Sequence, residues 1–128
     1  MERILGRFAP QIYALMRIVV GLLFACHGAQ KLFGVLGGPQ FPLASQFGLA
    51  GVIEFVGGVM IAVGFMTGFA AFIASGEMAY AYFTMHWPKG PWPIRNAGEL
   101  AVLYCFVFLY IASRGSGIWG IQKGGSKR

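Results

Sequence analysis

Five ionisable side chains that could do chemistry together interrupt otherwise apolar segments of this chain. His27 and Lys31 lie four residues apart in FACHGAQKLFG, residues 24–34. Glu54, Glu77 and Glu99 each stand in a later apolar segment, and Glu2 is the remaining acidic residue. An imidazole titrates near neutral pH, and carboxylates accept protons or bind polar groups. The set is therefore typical of a proton relay or of a polar ligand site.

The composition indicates the environment in which these side chains work. Of 128 residues, 57% are hydrophobic and 11% are charged, and the mean hydropathy is +0.67. Soluble domains carry about 25% charged residues. The chain is long enough for one domain, residues 1–128, and its balance predicts a protein that resides in a lipid bilayer.

The basic character of the chain suits a membrane better than a nucleic acid. The net charge is +6. The lysines and arginines flank apolar segments and form no stripe interleaved with exposed aromatic residues, so we expect no nucleic-acid partner.

Four apolar segments are long enough to span a bilayer, which takes about 20 residues. They cover roughly residues 12–33, 47–65, 68–85 and 97–113. The turn MTG between the second and third forces those two to run antiparallel. The predicted fold is all-α, an integral membrane antiparallel four-helix bundle. We expect the first span to be retained, because Arg17 interrupts its apolar run and no signal-peptide cleavage site follows.

The distribution of basic residues predicts the orientation. Six of them fall on the side of both termini, namely Arg3, Arg7, Arg114, Lys123, Lys127 and Arg128, against Lys31, Lys89 and Arg95 on the other. Cytoplasmic loops carry the excess of Lys and Arg. We therefore expect both termini in the cytoplasm, which in a bacterium would place the protein in the inner membrane with its two long loops facing the periplasm.

Helical geometry predicts that the five ionisable residues converge. A charge at mid-bilayer costs about 2.5–3.5 kcal/mol, so His27, Lys31, Glu54, Glu77 and Glu99 should meet inside the bundle, in its outer half. We expect a pocket mouth formed by three residues of the last long connection, His86, Arg95 and Asn96. Arg17 has no acidic partner at its depth, and we expect its side chain to extend to the inner interface.

Two interpretations of this pocket stay open from the residues alone. The carboxylates and His27 form interhelical hydrogen bonds that fix packing, or they form a ligand or proton site. We expect no metal site, because His86 is the other histidine and lies in a loop. No activated serine or cysteine is visible as a nucleophile. Cys26 and Cys105 are far apart in apolar runs, which predicts buried, inert thiols.

Four stretches, in this order, resemble the DoxX family of small four-span bacterial membrane proteins. They are RIVVGLLFACHGAQKLFG, LAGVIEFVGGVMIAVGFMTGFAA, GEMAYAYFTMHW and NAGELAVLY. The resemblance covers most of the chain, and the element around His27 and Lys31 is its most specific part. It implies a four-helix membrane bundle linked to redox metabolism, since the family takes its name from a subunit associated with thiosulfate:quinone oxidoreductase. Some members are placed in membrane complexes that handle oxidative and thiol stress.

Three functional hypotheses follow. The first is a subunit of a membrane redox system, quinone- or thiol-linked, with quinone as the candidate ligand and other membrane or redox proteins as partners. The second is a non-enzymatic scaffold or assembly partner in which the charges specify packing. The third is a small transporter, which would need to form a homo-oligomer because four short spans enclose a pathway only marginally.

Overall fold

The computed structural model describes residues 1–122, and its regular structure is entirely helical over that range. In chain order the elements are α1 (Glu2–Leu5), a 3-10 turn (Gly6–Phe8), α2 (Ala9–Phe33), α3 (Gln46–Val63), α4 (Thr67–Ala81), a π-helical segment (Tyr82–His86), a 3-10 turn (Trp87–Lys89), α5 (Pro93–Asn96) and α6 (Glu99–Arg114). The all-α prediction is confirmed. The bases at 123, 127 and 128, which entered the predicted orientation, lie outside the described residues.

The four predicted apolar segments coincide with α2, α3, α4 with its π-helical continuation, and α6. Two helical stretches are long and apolar enough to cross a membrane, Glu2–Phe33 and Gln46–Val63. Helices α4 and α6 are shorter, with 15 and 16 residues. The sequence thus placed each helix to within a few residues of its observed bounds.

Residues at the helix ends explain where the longer helices begin and end. The hydroxyl of Ser45 accepts a hydrogen bond from the backbone N–H of Gly48 at 3.1 Å, which caps the start of α3. Helix α3 stops at Gly64, whose φ of +77° favours glycine. A Cβ at Gly64 would also lie 2.5 Å from the Cα of Gly120, so this position needs glycine for space as well.

Neighbouring long helices run in opposite directions. Gly21 of α2 lies against Ala62 of α3, whereas Gly28, further along α2, lies against Phe55, earlier in α3. The connection 64–66 reverses the chain between α3 and α4, and α6 runs opposite to α4 because Gly68 lies against Ala112 whereas Ser75, further along α4, bonds to Cys105, earlier in α6. One end of the molecule, the tail end, therefore gathers residues 1–9, 64–66 and 115–122. The opposite end, the loop end, gathers the connections 34–45 and 87–98.

Helices α2 and α3 approach each other closely enough for backbone to touch backbone. A Cβ added at Gly21 would lie 2.6 Å from the backbone nitrogen of Ala62, and one added at Gly58 would lie 2.6 Å from the carbonyl oxygen of Gly21. At Gly28 an added Cβ would collide with the backbone nitrogen of Phe55. Small residues that permit such contact are typical of helix pairs in membranes. This packing fixes the register between the ends of α2 and α3.

One core joins the four long helices. Its fully buried members include Phe24 from α2, Ile61 from α3, Ala74 from α4 and Phe108 from α6. Phe24 and Phe108 lie with ring centroids 4.6 Å apart, and Tyr104 stacks on Phe108 at 5.4 Å. An aromatic layer therefore closes the middle of the molecule.

The tail end contradicts the expectation for Arg17. Its side chain is fully buried, so the prediction that it extends to an interface is wrong. The guanidinium donates hydrogen bonds to the carbonyl oxygens of Trp119 at 2.9 Å, Ile118 at 3.0 Å and Ala62 at 3.4 Å, and also to that of Ser116. These carbonyls belong to the end of α3 and to the segment after α6, where no helical partner satisfies them. Backbone carbonyl oxygens therefore take the place of the acidic partner that Arg17 lacks.

The cysteine prediction is also corrected in part. Cys26 is exposed on the surface of α2, so it is not a buried thiol. Cys105 is half-buried, and its sulfur lies 3.5 Å from the hydroxyl of Ser75, which donates to the Cys105 carbonyl oxygen at 2.7 Å.

Candidate functional site

A cavity of about 770 Å³ opens in the loop-end half of the molecule, above the aromatic layer. Phe24 and Tyr104 form part of its lining and pack against Phe108 beneath it. Leu49 and Tyr80 also line it and are each 57% exposed on the outer surface. The cavity is thus closed towards the molecular centre and open to the surroundings.

Lys31 and Glu54 form an ion pair in the wall of this cavity. The Lys31 ammonium donates to Oε2 of Glu54 at 2.6 Å. The Glu54 side chain is 1% exposed and that of Lys31 is 26% exposed. The close packing of α2 on α3 brings the two residues together, since a Cβ at Gly51 would lie 2.9 Å from the Cβ of Lys31. A carboxylate this enclosed needs a partner, and Lys31 supplies it.

Glu77 extends the pair into a group of three. It is carried by α4 and lines the same cavity as Lys31 and Glu54. Oε1 of Glu54 and Oε1 of Glu77 are both buried and have no hydrogen-bond partner of their own. Two adjacent carboxyl groups and one ammonium carry an excess of acceptor oxygens over donors. The group can hold a proton between its carboxyls or accept one from a ligand.

Both histidines border the same cavity. His27 is exposed on α2 but lines the cavity, with its ring edge-on to Tyr104 at 6.1 Å between centroids. His86 ends the π-helical segment, and its Nδ1 lies 3.0 Å from the carbonyl oxygen of Asn96. π-Helical turns often accompany functional sites because they redirect side chains. Here the segment places Tyr82 in the core and His86 at the cavity.

Three of the predicted residues lie elsewhere. Glu99 is exposed at the first residue of α6 and does not line the cavity, so the structure separates it from Glu54 and Glu77. Arg95 is exposed on α5 and also lies outside the lining. Asn96 is buried, and its amide is used to hold the loop: it donates to Tyr82 Oη at 3.1 Å and to the Gly90 carbonyl at 2.8 Å.

Other polar residues of the lining were not among the predicted site residues. Gln46 and Tyr80 join α3 to α4 at the cavity edge by a 3.2 Å hydrogen bond from the amide to the phenol. Thr84 and Tyr104 add hydroxyl groups to the lining. A period of 3.6 residues places Tyr80 and Thr84 on the face of Glu77. This periodicity could have identified Tyr80 and Thr84 as lining residues from the sequence, whereas no sequence pattern identified Gln46.

The chemistry of the lining suits an organic ligand better than a metal ion. Among residues 1–122, no three His, Cys, Asp or Glu side chains come together as a metal-binding group. Most of the wall is apolar, with side chains such as Phe47, Ile53 and Met78, and its charged members are Lys31, Glu54, Glu77 and Lys89. Such a cavity fits a molecule with an apolar body and a small polar head.

These features define an all-helical class of protein over the described residues, with two helices that are long and apolar enough to cross a membrane. The profile of the DoxX family matches residues 12–87, more than half of the chain. A protein of Haemophilus influenzae strain Rd, itself named only as an uncharacterized protein, is 41% identical over 126 residues, covering 88% of this chain and 90% of its own. The chain belongs to the DoxX family, a membrane family. No solved structure matches it.

Proposed function

We propose that the protein is a multi-pass membrane protein in which all four long helices cross the bilayer as an antiparallel bundle. Apolar side chains cover the outer faces of every one of them, for example Leu22, Val56, Phe72 and Phe106, each about half or more exposed. Such continuous exposed apolar surface marks a membrane interface. Helix α4 with its π-helical continuation reaches about 30 Å at roughly 1.5 Å per residue, which matches the hydrocarbon thickness.

The orientation is part of this proposal. Exposed Arg3, Arg7 and Arg114 lie at the tail end, and the exposed bases Lys89 and Arg95 lie at the loop end. With the three bases beyond residue 122, the tail end carries the excess, which favours the cytoplasmic side. The cavity then faces the extracytoplasmic half of a bacterial inner membrane.

The cavity serves, in this proposal, as the binding site of a quinone-type ligand in a membrane redox system. The observation that carries this is the composition of the lining, a mostly apolar wall open to the surroundings that also carries the Lys31–Glu54 ion pair and Glu77. A quinone has polar oxygens on a lipid-soluble ring with an apolar tail, and so it offers a group to each of these two kinds of lining residue. Family membership supports the redox link, and partners that deliver or accept electrons would be other membrane proteins.

The test fills the cavity without touching its charges. Ala81 lines the cavity and Ala79, two residues earlier on α4, does not. We expect purified protein in lipid nanodiscs to bind a decyl-substituted benzoquinone, and Ala81→Phe to weaken that binding at least tenfold. Ala79→Phe serves as the control and should bind like the parent. Unchanged affinity in Ala81→Phe would overturn the assignment of the ligand to this cavity.

The scaffold alternative has one observation in its favour. Lys31 and Glu54 join the two helices whose backbones touch, so their pair could serve packing alone. On that account no quinone would bind to the parent protein. The transporter alternative is disfavoured within a single chain, because Phe24, Tyr104 and Phe108 close the cavity towards the tail end.

A further inference from the structure

The wall of the cavity reaches the outer surface of the molecule along the seam between α3 and α4. Leu49 of α3 and Tyr80 of α4 line the cavity, and each is 57% exposed. Gln46 also lines it at an exposed position, and its amide donates to the Tyr80 hydroxyl at 3.2 Å across the seam. The cavity is therefore accessible from the side of the bundle, where the proposed function places lipid.

Helix α3 is packed tightly against α2 and loosely along the face that lines the cavity. A Cβ at Gly58 would lie 2.6 Å from the carbonyl oxygen of Gly21 in α2, whereas one at Gly57 meets nothing within 4 Å. Gly57 follows Ile53, a lining residue, by four positions, so both lie on the same face of the helix. Free space beside this face of α3 therefore continues for a further helical turn.

The border of the cavity at the loop end is held more firmly than the seam. Lys89 of the connection 87–98 lines the cavity there. The buried Asn96 amide fixes this connection, because it donates to Tyr82 Oη at 3.1 Å and to the Gly90 carbonyl at 2.8 Å. The seam is bridged by a neutral hydrogen bond between exposed side chains, which contributes about 0.5–1.5 kcal/mol. The seam is thus the easier of the two borders to open.

We infer that the seam between α3 and α4 is a side portal, and that the ligand's tail passes through this portal into the bilayer. This inference rests on the proposed function and specifies the ligand as a quinone with a long polyprenyl tail. A cavity of about 770 Å³ holds a molecule of drug size, so a ring and a short tail fit inside. A long tail must leave the cavity, and Leu49 and Tyr80 are the residues that contact it at the exit.

The length of the tail tests the portal in the unaltered protein. Two quinones with the same ring, one with a decyl tail and one with a long polyprenyl tail, are titrated into the whole chain in lipid nanodiscs. Affinities are expressed per lipid, so that partition into the bilayer cancels. We expect the long-tailed quinone to bind at least as tightly as the decyl quinone. Weaker binding of the long-tailed quinone would show a blind cavity and overturn the inference, and the proposed function would stand. If neither binds, both fall.

Two leucines form a matched pair for locating the portal. Leu49 lies at the seam, whereas Leu100 lines the cavity from α6, which does not border that seam, and is 51% exposed. We expect Leu49→Trp to weaken binding of the long-tailed quinone at least tenfold relative to the decyl quinone. Leu100→Trp should keep the parent's ratio of the two affinities.

Binding of the decyl quinone shows that each variant is folded, and the comparison of tails in the parent protein depends on neither variant. An unchanged ratio in Leu49→Trp, or a ratio that falls in Leu100→Trp instead, would place the tail elsewhere and overturn the inference.

Discussion

Arg17 is a buried charged residue that has backbone oxygens, and no acidic side chain, as its hydrogen-bond partners. Its guanidinium donates hydrogen bonds to carbonyl oxygens at the end of α3 and within residues 115–122. A planar group with five donors can reach several oxygens at once, whereas a lysine ammonium on a flexible stem cannot match that geometry. Arg17 thus ties the segment after α6 to the rest of the tail end.

We expect Arg17→Met to lower the free energy of unfolding by about 3 kcal/mol or more, because several buried carbonyls lose a charged donor together. Thermal unfolding in detergent measures this loss. Hydrogen exchange should rise in residues 115–122. Arg3→Met removes an exposed base at the same end and serves as control. Equal stability of the two variants would contradict this role.

The pair of Lys31 and Glu54 makes a separate prediction at the residue scale. Removing one partner of a buried ion pair costs about 3–5 kcal/mol, whereas removing both costs less because no charge is left alone. We expect Lys31→Met to be strongly destabilising and the double variant Lys31→Met/Glu54→Gln to recover part of the loss. The measurement is a double-mutant cycle on unfolding free energies. Additive effects would show that the two groups do not stabilise each other.

The sequence could predict which charges lie within the helical part of the molecule, but not how each helix is turned. Lys31, Glu54 and Glu77 were expected together, and all three line one cavity, with Lys31 and Glu54 in direct contact. Glu99 was expected with them, but it is exposed at the first residue of α6. The side that such a residue faces depends on where the helix begins, and the sequence did not predict that start to the residue. The hydrogen-bond partners of Arg17 could not be predicted, because they are backbone carbonyl oxygens. Every residue has one, and the residue type does not show which of them lack a partner within a helix.

At the scale of elements, the contact between α2 and α3 governs the geometry of the site. Gly57 and Gly58 are neighbours on α3 with opposite surroundings: a Cβ at Gly57 meets nothing within 4 Å, whereas one at Gly58 would lie 2.6 Å from the Gly21 carbonyl oxygen and 2.9 Å from the Cα of Ala25. Backbone cannot yield as a flexible side chain does. The helices must therefore separate to admit a methyl group at Gly58.

We expect Gly58→Ala to destabilise the protein by about 1–3 kcal/mol, the usual cost of overpacking. Gly57→Ala should be neutral or slightly stabilising, because alanine is the better helix former. Unfolding in detergent compares the two directly. Matching losses in both variants would contradict the observed packing of α2 on α3.

The helices themselves were the most predictable part of the molecule. Apolar runs bounded by Gly, Pro and Ser placed all four long helices, because the length of such a run and its end signals act locally. The π-helical segment Tyr82–His86 was not predicted, since it depends on contacts with the loop that follows, including the Asn96 amide on Tyr82. Features that depend on residues close together in the sequence could be predicted from it. Features that depend on tertiary contacts could not.

At the scale of the whole molecule, the proposed orientation in the membrane places the tail end in the cytoplasm. Reporter fusions in bacteria test it. Green fluorescent protein at either terminus should fluoresce if the tail end lies in the cytoplasm as proposed, and alkaline phosphatase inserted in residues 34–45 should then be active. Active alkaline phosphatase at the termini would reverse the orientation and place the cavity in the cytoplasmic half.

The central claim is that the cavity at the loop end is a ligand site, and photoaffinity labelling tests it most directly. An azido derivative of a decyl-substituted benzoquinone or hydroquinone would be cross-linked to the protein in nanodiscs and the labelled peptides sequenced. The account predicts labels within residues 46–54 and 77–85, suppressed by excess unlabelled ligand and lost in Ala81→Phe. Labels spread over the outer faces, such as Phe69 and Phe72, and insensitive to competitor would contradict it.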